Sequence, residues 1–141
     1  MTMREILFRG KRKDNGNWVC GKPFWSPNGR KMVWAIALHP DFEDENHCVY
    51  YCEGADVLSD TVGQFTGLTD KHGKKIFEGD IVRLDIAGII FNAVCKFHSG
   101  CFGLVWHYMG ADRWQAFTSM CHVEYEVIGN LYDNPELMED K

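Results

Sequence analysis

The sequence predicts a mainly β protein. A small SH3-like or partly open β-barrel takes the C-terminal half, an N-terminal β sub-structure precedes it, and a short helix ends the chain. Three observations carry this. Short runs rich in β-branched and aromatic residues recur about every ten residues, with Gly, Asn or Asp turn signals between them, enough for about eight or nine strands. The Gly79-Asp80-Ile81-Val82 strand start leads into consecutive apolar runs joined by short Gly-bearing loops, which is the pattern of a meander. Asn134-Pro135 places a cap residue before a Pro at the first helical position.

In order, residues 4–9 form a strand with Ile6 and Phe8 on one face. Asn15-Gly16 is a strong hairpin signal, and Trp18 to Trp25 returns antiparallel. Pro23 puts that strand on an edge or ends it, because it donates no ladder bond. Ser26 to Gly29 turns the chain into Met32–Leu38, an apolar run whose Val, Trp and Ile favour strand over helix. Residues 39–46 are an acidic loop, and His47 to Cys52 is β-type. Val57 and Thr61 bracket a turn.

The middle of the chain holds two further turns. Asp70-Lys71-His72-Gly73 has Asp first and Gly fourth, the chemistry of a tight turn, and Glu78-Gly79-Asp80 repeats the device. Runs at 81–84, 88–97 and 101–107 follow. Met109 to Thr118 is expected to be irregular with one helical turn, and 122–129 alternates as the last strand. Residues 1–141 thus make one domain, with an N-terminal hairpin region over 1–60 and the barrel-like part over 61–141.

Composition sets limits on function. Hydrophobic residues make up 45% of the 141 and aromatics 13%, so the chain folds rather than staying disordered. No apolar run reaches the roughly 18 residues of a membrane helix, and the first residues lack the apolar core of a secretory signal. The expected compartment is the cytoplasm, where six cysteines are free thiols in strands rather than a disulfide framework. Residues 1–31 hold eight Lys/Arg against two Asp/Glu, a balance of +6, and the remainder holds seven against eighteen, a balance of −11. Opposite-signed regions suit self-association or the steering of a charged partner.

Candidate chemistry is sparse, and each constellation has a plain structural reading. Arg9, Lys11, Arg12 and Lys13, with Trp18, Phe24 and Trp25 nearby, could hold single-stranded nucleic acid by phosphate contacts and stacking. The net charge of −5 disfavours that, and aromatic residues in a chain this size are mostly core. Glu78 and Asp80 with a histidine such as His72 could serve a metal-dependent enzyme, but turn chemistry already accounts for Asp70, Gly73, Glu78, Gly79 and Asp80. Cys95-x2-His98-x2-Cys101, with Cys121 and His122 later, offers four zinc ligands without the usual cysteine knuckle. Cys48 and Cys52 share a strand face with His47 on the other. Phosphate-loop, dinucleotide and hydrolase-elbow motifs are absent, so no catalytic residue, metal ligand or cofactor is assigned.

Three stretches together resemble the YopX family. The first is Arg4-Glu5-Ile6-Leu7-Phe8-Arg9-Gly10 with Asp14-Asn15-Gly16-Asn17-Trp18-Val19. The second runs from Gln64 to Val82, with Thr66-Gly67-Leu68, Asp70, Gly73 and Glu78-Gly79-Asp80-Ile81-Val82. The third is Tyr125 to Tyr132 followed by Asn134-Pro135-Glu136-Leu137. The resemblance implies a mainly β protein encoded by bacteriophages and prophages and working in the bacterial host cell, and it carries over no catalytic residue. Loop 39–46 and the cysteines match no feature of the family. The expected role is a non-enzymatic accessory module that self-assembles and binds a host or phage protein. Nucleic-acid binding is the alternative and metal-dependent catalysis the last.

Overall fold

The computed structural model describes residues 5–28, 31–37, 54–120 and 123–139. The acidic loop 39–46, the run His47 to Cys52, and Cys121 with His122 lie outside them, as does Gly29 of the turn after Ser26. Within these bounds the chain is mainly β, with eleven strands and three short 3-10 turns. It divides into two compact units, Met1–Gln64 and Phe65–Lys141.

In the first unit, β1 (Phe8–Lys11) pairs antiparallel with β2 (Trp18–Asn28), β2 with β3 (Lys31–Ala37), and β3 with β4 (Gly54–Asp56). The Asn15-Gly16 hairpin forms as the sequence predicts. Asn15 Oδ1 accepts the Asn17 N–H at 2.9 Å, and Gly16 takes φ 73°, a left-handed value that glycine adopts without a Cβ clash. Pro23 sits inside β2, yet β1 reaches only to Gly21 and the ladder to β3 begins at Lys22. At Pro23 the strand therefore has β3 alone beside it, which is how a residue without an N–H is tolerated. Val57, fully buried, packs over Gly10, where an added Cβ would come within 3.0 Å of it. The first 3-10 turn, Ser59–Thr61, follows, and Thr61 Oγ1 accepts the Lys11 N–H at 2.9 Å.

Strand β5 (Gly63–Thr69) crosses the boundary between the units. Its first two residues pair with β1 and its later ones with β6 (Lys75–Phe77). The second unit then builds an antiparallel meander from β7 (Asp80–Ile86), β8 (Ile89–His98), β9 (Cys101–Tyr108) and β10 (Ala111–Ala116). The last strand, β11 (Tyr125–Asn130), pairs on the far side of β7, giving the order β10-β9-β8-β7-β11. Three two-residue turns join the meander: Ala87-Gly88, Ser99-Gly100 and Met109-Gly110. Both residues of each have positive φ, the type I′ geometry whose twist matches the flanking strands.

The alternate residues Val82 and Leu84 of β7, Ala93 and Cys95 of β8, and Leu104 of β9 are buried on one face. Ile76, Phe117, Met120 and Val127 complete that core, with Phe91, Trp106 and Tyr125 packed at its margin.

Three expectations are corrected. The meander is an open sheet, not a closed barrel. Closure would need the free edge of β11, but that edge is already taken: Tyr125 accepts the Lys71 N–H at 3.1 Å, and the Val127 N–H donates to Asp70 Oδ2 at 2.9 Å. Residues 109–118 are mostly the strand β10, which escapes a period-2 reading because an edge strand with Asp112 and Arg113 exposed shows no apolar alternation. A 3-10 turn, Phe117–Ser119, ends it as the expected helical turn. The C-terminal helix is a single 3-10 turn, Pro135–Met138. Asn134 does not cap it, and its Oδ1 instead accepts the Asn130 N–H at 3.3 Å. No described helix is long and apolar enough to cross a membrane.

Candidate functional site

The mid-chain aspartates are frame. Asp70 is 6% exposed, and its Oδ1 accepts the N–H groups of His72 and Lys74, each at 2.9 Å, while Oδ2 takes that of Val127. Burial by itself raises a carboxyl pKa, but those three donors and the nearby His72 outweigh it and hold Asp70 below its ordinary value. Gly73 closes the same turn, its N–H donating to the Asp70 carbonyl at 3.0 Å. Asp80 is 2% exposed, and its Oδ2 accepts the Phe77 N–H at 2.8 Å across the Glu78-Gly79 turn. Gly79 takes φ 89° beneath the Tyr132 ring, and its carbonyl accepts the Leu131 N–H at 2.8 Å.

These bends do not gather a metal site. Glu78 stays in its turn, and His72 faces Glu126, Nε2 to Oε1 at 3.4 Å. Cys95 is buried in the core, His98 is exposed, and the Cys101 thiol donates to the His98 carbonyl. Among the described residues, no three His, Cys, Asp or Glu come together as metal ligands would.

The basic hairpin is partly assembled. The β1–β2 register sets Lys11 opposite Trp18 and Arg9 opposite Cys20, so Arg9, Lys11, Trp18 and Lys22 share a face. The Arg9 guanidinium lies 4.6 Å from the Trp18 ring centre, a cation–π distance. Arg12 is turned to Asp14 by two hydrogen bonds of 2.9 and 2.8 Å, and that bonding holds the Asp14 carboxyl below its ordinary pKa. Lys13 is exposed and lines a concavity of about 400 Å³ with Arg12, Asp14 and Asp56, so two carboxylates face the two cations. Phe24 continues the same face by alternation and packs on Gly54, and the Trp25 side chain lies outside the described residues.

A second arrangement was not visible in the sequence. On the face of the meander opposite the core, the register sets Glu126 of β11 against Arg83 of β7, Arg83 against Asn92 of β8, and His107 of β9 against Asp112 of β10. These five residues form a polar row across all five strands. Arg83, Asn92 and His107 line a concavity of about 510 Å³, with Ile90, Phe91, Leu137, Met138 and Glu139 as its other walls. That volume is within the roughly 300–1,000 Å³ of small-molecule sites. Asn92 Nδ2 donates to the Leu137 carbonyl at 3.0 Å and ties the C-terminal turn down as one wall. His107 Nδ1 is 3.0 Å from Asp112 Oδ1, which fixes the ring. Arg83 is exposed, and among the described residues no hydrogen bond or ion pair engages its guanidinium. The sequence signal was Arg83 and Asp85 alternating with Val82 and Leu84, and sequence does not give cross-strand register.

Beside this row, large apolar side chains project at one end of the sheet. Ile89 is 49% exposed, Ile90 63%, Tyr108 37% and Met109 79%. They flank or form the Ala87-Gly88 and Met109-Gly110 turns, and Tyr108 packs edge-on to Phe91 at 5.1 Å.

Comparison with known proteins agrees with the fold. The chain is similar to the crystal structure of protein EF1440 from Enterococcus faecalis, at 23% identity and a TM-score of 0.50, over 97% of this chain and 100% of that one. That likeness concerns the fold alone. No curated protein matches. Residues 7–139 match the family described as YopX protein, a span that includes the second and third stretches singled out in the sequence and the first from Leu7 onward, and the chain belongs to the YopX family.

Proposed function

We propose that the chain is a non-enzymatic β module, an accessory protein of a phage or prophage, that acts in the host cytoplasm by associating with further copies of itself and through them with a phage or host protein. The observation that carries this is the apolar end of the meander, where Ile89, Ile90, Tyr108 and Met109 stand in solvent on paired hairpins. Contiguous exposed side chains of this size mark association surfaces more often than isolated ones do. The edge strand β10 and the opposite charge balance of residues 1–31 and the remainder support the same reading. The SH3-like reading of the C-terminal half belongs here too, since small antiparallel sheets of that kind serve as docking scaffolds, although the fold alone assigns no role.

Light scattering coupled to size-exclusion chromatography tests it. The wild type elutes as a dimer or larger species, and Ile89→Asp with Met109→Asp shifts it to monomer. Aspartate is tolerated at the positive φ of Met109, so the turn survives the change. A wild type that is monomeric up to its solubility limit overturns the proposal.

The stacked Arg9–Trp18 pair, sharing a face with Lys11 and Lys22, favours a second reading, single-stranded nucleic-acid binding by the first unit. Fluorescence anisotropy with labelled oligonucleotides tests it at low salt, where phosphate contacts are strongest. No binding there removes it.

A further inference from the structure

The concavity on the polar face has the parts of a ligand site, and it shares only Ile90 with the association surface. Arg83 supplies a planar guanidinium that pairs with an oxyanion through two parallel N–H bonds. His107, held by Asp112, and Asn92, tied to the Leu137 carbonyl, sit on the two strands beyond β7 with their orientations fixed. Ile90, Leu137 and Met138 make an apolar wall beside them. A charged clamp next to an apolar wall is the chemistry that recognises an amphipathic anion. Two carboxylates bear on the choice of charge. Glu126 lies opposite Arg83 in the ladder and is turned to His72, and Glu139 lines the concavity itself. A dianion would set its second charge against Glu139, whereas a single carboxylate can be met by Arg83 alone.

We propose that this concavity binds a small monocarboxylate with an apolar arm, its carboxylate on Arg83 and its arm on Ile90, Leu137 and Met138. Ile90 borders both this site and the association surface, so the two ideas are separated by their variants: Ile89→Asp with Met109→Asp changes the oligomeric state, and Arg83→Gln changes hexanoate binding alone.

The test is an amide NMR titration of the full chain with sodium hexanoate at constant ionic strength, with inorganic phosphate and hexylammonium as parallel probes. Hexanoate gives saturable shifts centred on Arg83, Asn92, His107 and Leu137, phosphate binds more weakly, and hexylammonium gives none there. Arg83→Gln weakens hexanoate by about tenfold or more, the value of a hydrogen-bonded charge contact. Arg83→Lys, which keeps the charge but loses the fork, falls between the two. The spectra report in the same samples that each variant is folded. The proposal is overturned if the wild type shows no saturable shift at these residues, if Arg83→Gln titrates like the wild type, or if phosphate binds as tightly as hexanoate.

Discussion

The two faces of the five-stranded sheet are made by alternate residues of the same strands and have been put to different uses. On β7, Val82 and Leu84 are fully buried in the core, while Arg83 and Asp85 between them are exposed. On β8 and β9, Ala93, Cys95 and Leu104 join that core, and Asn92 and His107 line the opposite concavity. One face is held by burial of apolar area, worth about 25 cal/mol per Å². The other buries Ile81 and Val94 at one end, and over Arg83, Asn92 and His107 carries polar groups whose mutual contacts add little to stability in water. The difference teaches that this chain's stability and its capacity to bind can be changed independently, residue by residue along one strand.

The sharpest exception to that division is Asp70, a charged group that belongs to the frame. Asp70→Asn keeps an acceptor for His72 and Lys74 but turns an NH2 donor toward the Val127 N–H, and loses about 2–3 kcal/mol in urea unfolding at neutral pH. Acid sharpens the same point. The folded-state pKa lies below the ordinary value of 3.8, so between the two the unfolded chain binds the proton and the folded chain does not. The contribution is therefore full above 3.8 and is lost as pH falls through the folded value. Unfolding midpoints of wild type and Asp70→Asn should converge on acidification, and a constant gap would remove Asp70 from the frame.

A smaller effect separates crowded turns from open ones. Gly79→Ala meets both a left-handed φ and Tyr132 Cε2 at 2.9 Å, whereas Gly110→Ala at φ 79° meets nothing within 4 Å. Melting temperatures should show about 1–2 kcal/mol of backbone strain in each, with a further loss at Gly79 alone. Smallest of all is Asp112→Ala, which breaks an exposed pair on the polar row. Its cost in thermal unfolding should stay within about 0.5 kcal/mol.

Much of the frame was legible in the sequence, because turn chemistry and period-2 alternation are local. Asn15-Gly16, Asp70 to Gly73, Glu78-Gly79 and the strand from Ile81 all stand where those signals put them. What was not legible depends on partners distant in the chain. The sheet stays open because Asp70 and Lys71 reach across to Tyr125 and Val127, contacts with no local signature. The polar row needs four strand registers at once, and its His107–Asp112 pair spans a turn that the sequence reading left irregular. In the basic hairpin, the local sequence placed the cations near one another, but which of them share a face follows from the β1–β2 register, and the Arg12–Asp14 pairing depends on side-chain geometry in the turn.

The central claim, that the face of Val82 and Leu84 holds the fold while the polar stretch around Arg83 on the other is spare, is tested most directly by comparing two neighbours on β7. Urea unfolding of Leu84→Ala and Arg83→Gln should show a loss of about 2–5 kcal/mol, or outright unfolding, for the first. The second should stay within about 0.5 kcal/mol of wild type. Equal losses at the two positions would contradict the account.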